Sequence, residues 1–184
     1  MSEVRGTEGS VLCECSLTLR PKKKVSEVCV RLWLRGISDA SSEAPSSCYI
    51  FHMNWSDLEK EVESLASKVD FVPDLIIGIV RGGLIPARLL SSKLKVKDMY
   101  GLTVKKIGEA RKVTSDILED LSGKKILLVE DMLETGKSLV VAREYLIAKG
   151  ADVKTACLYT MPISELKSDF FLGEVSEVAR FPWE

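Results

Sequence analysis

Histidine is almost missing from this 184-residue chain, with His52 standing alone. His-based zinc sites are thereby excluded for want of ligands, and a His-dependent triad would hang on one residue. His52 sits at the edge of the N-terminal segment, where a structural or solvent-facing role is expected. Cysteine is sparse and odd in number, five residues at positions 13, 15, 29, 48 and 157. A disulfide framework is not expected from that count, and a reducing compartment, the cytoplasm, is. Cys13-x-Cys15 has no second pair at zinc spacing. No apolar run approaches the roughly 20 residues of a membrane helix. The N-terminus carries Glu3 and Glu8 and no apolar leader, so no secretory signal is expected. An excess of one charge is also lacking: 26 Lys and Arg face 27 Asp and Glu. Such a balance creates no field for nucleic acid or an anionic membrane, and neither is expected as a partner. What remains is 46% hydrophobic and 29% charged residues, the mixture of one soluble α/β or α+β domain.

The composition shifts near residue 53. Residues 1–53 hold four of the five cysteines, the Lys22–Lys24 run and a Ser-rich stretch from Ser38 to Ser47. Alternating apolar positions in Cys13–Leu19 and Val28–Leu34, joined by a basic turn, fit a β-hairpin; a poorly ordered extension fits equally. Residues 54–184 form the expected domain, and Met53 is a candidate start, with 1–53 a lineage-specific extension or an upstream misassignment. In the domain, Ser56 and Glu59 make a capping-box signature ahead of Leu58, Val62, Leu65 and Val69 at helical spacing. LIIGIV over Leu75–Val80 reads as a strand buried on both faces. Arg81-Gly82-Gly83 and a helix to about Leu94 follow. Asp98–Val104 is a weaker strand, and polar Lys105–Ser122 reads as a long loop. Lys125–Val129 is a second buried strand, Met132–Ser138 a loop, and Leu139–Lys149 a helix ended by Gly150. Val153–Tyr159 is another strand, where Cys157 is expected as a small buried hydrophobe. The tail contains Val175–Val178 and ends in Phe181-Pro182-Trp183-Glu184. Strands alternating with helices imply α/β architecture: a mostly parallel central sheet flanked by helices, its ligands beyond the carboxyl ends of the strands.

One stretch carries chemistry. The strand from Lys125 delivers Glu130 and Asp131 at its carboxyl end, and Glu134-Thr135-Gly136-Lys137-Ser138 then leads into a helix. Unpaired N–H groups at a helix start bind phosphate, and Gly136 allows close approach of the backbone. Adjacent carboxylates accept hydrogen bonds from vicinal hydroxyls or hold a hard cation. Gly136-Lys137-Ser138 looks like the end of a Walker A loop, but Asp131 occupies the position of that motif's first glycine. No G-x-G-x-x-G fingerprint occurs either.

The arrangement resembles the phosphoribosyl-pyrophosphate (PRPP) motif of type I phosphoribosyltransferases: an apolar strand, two acidic residues, two apolar residues, an acidic residue and Thr-Gly-x-Thr/Ser. Arg81-Gly82-Gly83 after the first core strand resembles the family's pyrophosphate loop. The final Phe-Pro-Trp-Glu is similar to a Pro-Trp-acidic segment of bacterial xanthine–guanine phosphoribosyltransferases. The resemblance covers about Trp55 to Glu184 and implies the type I phosphoribosyltransferase fold. It implies Mg²⁺-dependent transfer from PRPP to a nucleobase, a 6-oxopurine, by a homo-oligomer. Glu130 and Asp131 would hold the ribose hydroxyls, directly or through Mg²⁺, with Glu134 the third catalytic carboxylate. Thr135, Gly136, Lys137 and Ser138 would cradle the 5′-phosphate. Arg81, Gly82 and Gly83 would meet the pyrophosphate, often with a cis peptide there, joined by Arg111 or Lys112 from a mobile loop over Lys105–Ser122. Met161, Val178 and Trp183 fall where the base would bind. Glu134 stands where purine-using members usually have Asp, Met161 where a Lys would donate to the exocyclic oxygen, and Val178 where an aromatic would stack. A PRPP- or nucleotide-binding regulator on the same fold, or an interaction module using 1–53, are the other readings.

Overall fold

The protein's structure, a computed structural model, describes residues 53–183. The two strands expected at Cys13–Leu19 and Val28–Leu34, and His52, lie outside the described residues. Helix α1 spans Trp55–Lys68. Its N-cap is Asn54, not the Ser56–Glu59 box: the Asn54 carboxamide accepts from Asp57 N–H at 2.9 Å and donates to the Asp57 carboxylate at 2.6 Å. Asn is among the strongest N-caps, and the reciprocal pair starts the helix two residues earlier. Leu58, Val62 and Leu65 form the buried stripe, while Trp55 is exposed.

The remaining elements are β1 (Leu75–Val80), α2 (Leu84–Leu94), β2 (Met99–Ile107), β3 (Ala110–Val113), β4 (Lys125–Leu133), α3 (Lys137–Ala148), β5 (Asp152–Thr160) and β6 (Gly173–Glu174). They build one sheet in the order β3-β2-β1-β4-β5-β6. Every pairing is parallel except β2 with β3. Alternation along the central strands divides the core. Ile76 of β1 and Leu127 and Val129 of β4 face α1 and α2, packing with Leu58, Leu65 and Leu90. Leu75, Ile77, Ile126 and Leu128 face α3, packing with Leu139, Ala142 and Leu146. Strands buried on both faces read as continuous apolar runs for this reason. Cys157 is fully buried on the α3 side, as expected.

Two expectations are corrected. Lys105–Ser122 is not one long loop: its first residues extend β2, and Ala110–Val113 folds back as β3, with Lys106 opposite Arg111 and Ile107 opposite Ala110. The hairpin is solvated on most positions, so it shows no apolar alternation to read. Strand β4 does not end at Val129. Its pairing with β5 continues through Glu130 with Cys157 to Leu133 with Thr160, which shortens the following loop to Glu134–Gly136. Among the described residues, no helix is long and apolar enough to cross a membrane.

Candidate functional site

β1 is the first strand of the sheet, β2 lies on one side of it and β4 on the other. A chain that changes direction this way leaves a crevice beyond the carboxyl ends of β1 and β4. Both motifs fall at that crevice. Arg81-Gly82-Gly83 follows β1, and the Val80–Arg81 peptide is cis. Glu130 and Asp131 lie in the last part of β4, inside the strand and not past its end.

Gly82 and Asp131 are in direct apposition. A Cβ at Gly82 would overlap the Asp131 carboxylate, so any side chain there would displace that carboxylate from its present position. Asp131 is further fixed by the Met132 N–H, which donates to Oδ1 at 2.8 Å. Glu130, beside it, is pushed by burial up to about 8, with Asp131 and Glu134 raising it further and Arg111 opposing them. Three carboxylates thus crowd one end of the strand.

The loop after β4 turns at Gly136, whose φ of 72° is left-handed, and starts α3 without a side-chain cap. The first-turn N–H groups of α3 are left for a ligand, and the helix dipole favours an anion. Thr135, Gly136, Lys137 and Ser138 line a polar cavity of about 250 Å³ together with Glu130, Asp131, Glu134 and Arg111. Arg111 comes from β3, and its Nη1 donates to Ser138 Oγ at 2.8 Å.

The other expected residues lie apart from this cavity. Arg81 is exposed at the start of its loop. Met161 is half-buried, its N–H bonded to Leu133 O at 2.8 Å. Val178 is exposed, although its neighbour Ala179 is buried against Met132, donating to Sδ at 3.3 Å. Trp183 stacks on Phe181 with ring centroids 4.7 Å apart, so one of its faces is used in packing. One contributor escaped the sequence reading. Glu165, from the loop after β5, donates its N–H to Thr135 O at 3.1 Å and pairs with Lys137 at 3.5 Å. Ser164 lies against Gly136 in the same loop. No local pattern announces residues that reach a motif from thirty positions away.

Chemically, the cavity offers adjacent carboxylates facing a nest of N–H and hydroxyl donors. That suits a polyol phosphate: hydroxyls on the carboxylates, phosphate on the helix start. A model of the phosphoribosyl transferase domain matches residues 54–184. The chain is 26% identical over 148 residues to a xanthine-guanine phosphoribosyltransferase of Cereibacter sphaeroides, covering 73% of this chain and 86% of that protein. A purine phosphoribosyltransferase structure from Pyrococcus horikoshii superposes with a TM-score of 0.69 at 34% identity, over 73% of this chain and 93% of that one. A xanthine-guanine-hypoxanthine phosphoribosyltransferase from Helicobacter pylori, at 24% identity, shares the fold with a TM-score of 0.65 over 73% of this chain and 92% of its own. A sheet with its acidic pair, glycine loop and uncapped helix start meeting at one crevice, under a domain match spanning that whole region, means that the chain belongs to the type I phosphoribosyltransferases.

Proposed function

We propose that the protein transfers the phosphoribosyl group of PRPP to a 6-oxopurine, forming a nucleoside 5′-monophosphate and releasing pyrophosphate. The observation that carries this reading is the single cavity lined by Glu130, Asp131 and Thr135–Ser138, with Gly82 of the second loop set against Asp131. Relatives named for purines supply the base class. In this reading the C1–oxygen bond to pyrophosphate breaks and a bond from a ring nitrogen of the base to C1 forms. The ring nitrogen's proton leaves to solvent or to Glu134, which is exposed at the mouth of the cavity.

The transition state carries positive charge on the ribose and negative charge on the departing pyrophosphate. Glu130 and Asp131 hold the ribose hydroxyls, and the Asp131 carboxylate stabilises the positive side. N–H groups at the start of α3, with Thr135 and Ser138, fix the 5′-phosphate and therefore the position of C1. The backbone of Gly82 approaches the pyrophosphate, and Gly83, where a Cβ would meet the Val129 and Ile79 carbonyls, seats this loop against the strands. Mg²⁺ fits the donor set: two adjacent carboxylates, not a cage, are what this ion takes when substrate phosphates complete its shell. Among the described residues there is no group of three or more His, Cys, Asp or Glu that could hold a metal alone. When bound, Mg²⁺ supplies neutralisation of pyrophosphate charge.

A second reading, a PRPP- or nucleotide-binding regulator, draws on Met161 and exposed Val178, which offer the base neither a donor nor an aromatic face. Pyrophosphate release, measured with PRPP and Mg²⁺ across hypoxanthine, guanine, xanthine, adenine, uracil and orotate, separates the two. Turnover with a 6-oxopurine is the expected result. Thermal stabilisation by PRPP without turnover on any base supports the regulator, and no stabilisation at all overturns both.

A further inference from the structure

A second cavity lies at the other end of the sheet. It measures about 480 Å³ and sits where α2 ends and β2 begins. Ligand cavities run from about 300 to 1,000 Å³, so this one is of ordinary size for a small molecule. The crevice opens beyond the carboxyl end of β1, whereas this cavity lies towards the amino ends of the strands. The six residues of β1, at about 3.3 Å each, put about 20 Å between the two. They share no lining residue.

One wall is a single stripe of α2. Arg88, Ser91, Ser92 and Lys95 are spaced i, i+3, i+4 and i+7, along one face of the helix. Lys97 adds a third cation from the chain that follows, and Val96 and Met99 supply an apolar floor. No acidic residue lines the cavity. Among the described residues, Arg88, Lys95 and Lys97 make no ion pair. Glu63 is taken by Lys93 at 3.4 Å, and Asp98, next to Lys97, acts on Tyr100 and Lys124. Two details point to an occupant. Ser91 is only 7% exposed, yet its hydroxyl has no hydrogen-bond partner among the described residues. A buried hydroxyl ordinarily has one, so this donor is left for whatever fills the cavity. Lys95 closes α2 at a φ of 58°, in the left-handed region where glycine is the usual residue. It is the one non-glycine residue with positive φ among the described residues. A lysine there carries a backbone cost that glycine avoids, and it keeps a cation on the cavity wall.

We propose that this cavity binds an organic phosphate of nucleotide size, with two or more negative charges on a less polar body. The inference does not depend on the phosphoribosyl-transfer reading, because none of its residues belongs to the crevice. Arg88 gives one N–H to Ser92 Oγ and keeps the rest of its fork for phosphate oxygens. Lys95 and Lys97 add point charges, and Ser91 adds a hydroxyl donor. Three cations around one cavity exceed what a lone carboxylate neutralises and match a di- or triphosphate. The floor of Val96 and Met99 takes the body of the ligand.

The test follows backbone amide resonances of the full chain by NMR as ADP is added without Mg²⁺. Ser91–Met99 report this cavity and Thr135–Ser138 report the crevice. ADP is expected to shift Ser91–Met99 saturably, with inorganic phosphate at least about tenfold weaker there because it has no body for the floor. Arg88→Gln is expected to lower ADP affinity at these amides by about tenfold. Lys95→Gly is the sharper variant. Glycine adopts this φ freely, so the melting temperature should hold or rise while ADP affinity falls by about tenfold. Shifts confined to Thr135–Ser138, phosphate binding as tightly as ADP, or unchanged affinity in both variants overturns the site. A hexaglutamate peptide that binds there as tightly as ADP also overturns it, in favour of an acidic protein partner.

Discussion

Gly82 and Glu134 are the two residues on which the chemistry turns most sharply. Gly82→Ala places a methyl group where the Asp131 carboxylate stands, so that carboxylate or the Gly82 loop must shift. A displacement on the order of 1 Å costs about a hundredfold in rate. The expected outcome is that size of drop in kcat/KM for PRPP, with the melting temperature changed little, read from pyrophosphate release. Glu134→Asp tests the opposite direction. It shortens the carboxylate by one methylene to the length usual in purine-using members, and a gain in kcat of up to about a hundredfold is expected with a 6-oxopurine. At this scale the sequence was legible wherever neighbours in the chain are neighbours in space, as in Glu130–Ser138. It was silent on Glu165, whose contact with Thr135 depends on how β5 lies beside β4.

Among the elements, the segment between β3 and β4 shows how a polar stretch is held. Asp116 accepts hydrogen bonds from Tyr145 and from Lys149, at 2.7 Å in the latter case, so both come from the end of α3. Lys149, followed by Tyr145, holds the Asp116 carboxyl at about 2, below its ordinary 3.8. A carboxyl lowered in the folded state adds stability above its unfolded pKa and loses it as pH falls through the folded value. Asp116→Asn is therefore expected to lower the urea midpoint at neutral pH, and the gap to the parent should close as pH approaches 2. The buried strands β1 and β4 were plain in the sequence, because two covered faces demand unbroken apolar runs. β3 was not, because two of its four residues face solvent, Arg111 lines a polar cavity and only Val113 packs on the core. The carboxyl half of β4 was hidden for a related reason: Glu130, Met132 and Leu133 are paired in the sheet, yet the two adjacent carboxylates read as a loop.

Across the whole molecule, near-neutral charge means that a polyanionic substrate must be drawn by local groups. Residues 54–184 carry 19 Lys and Arg against 21 Asp and Glu, so nothing in the overall field attracts PRPP. Burial is equally selective. Cys157, its thiol pushed by burial up to about 12, is fully buried in β5, between β4 and the edge strand β6. Thiolate is the reactive form, and a group this deep is reached only when the domain opens globally. Peptide mapping after iodoacetamide treatment is expected to find Cys157 unmodified in native protein and modified in urea. The α/β class followed from the alternation of elements, and the sheet's order followed from no single segment, since it is a property of which strands the two motifs bring together.

The hairpin has a consequence for how copies of the chain behave towards one another. β3 and β6 are the two margins of the sheet, and a margin offers unpaired backbone groups to any passing strand. β6 is only two residues long, and β3 is four, with Arg111 and Lys112 adjacent in it. The short, cationic border of β3 repels the matching border of another copy, so a strand that delivers a guanidinium to the crevice also keeps the sheet from growing by intermolecular pairing at that edge.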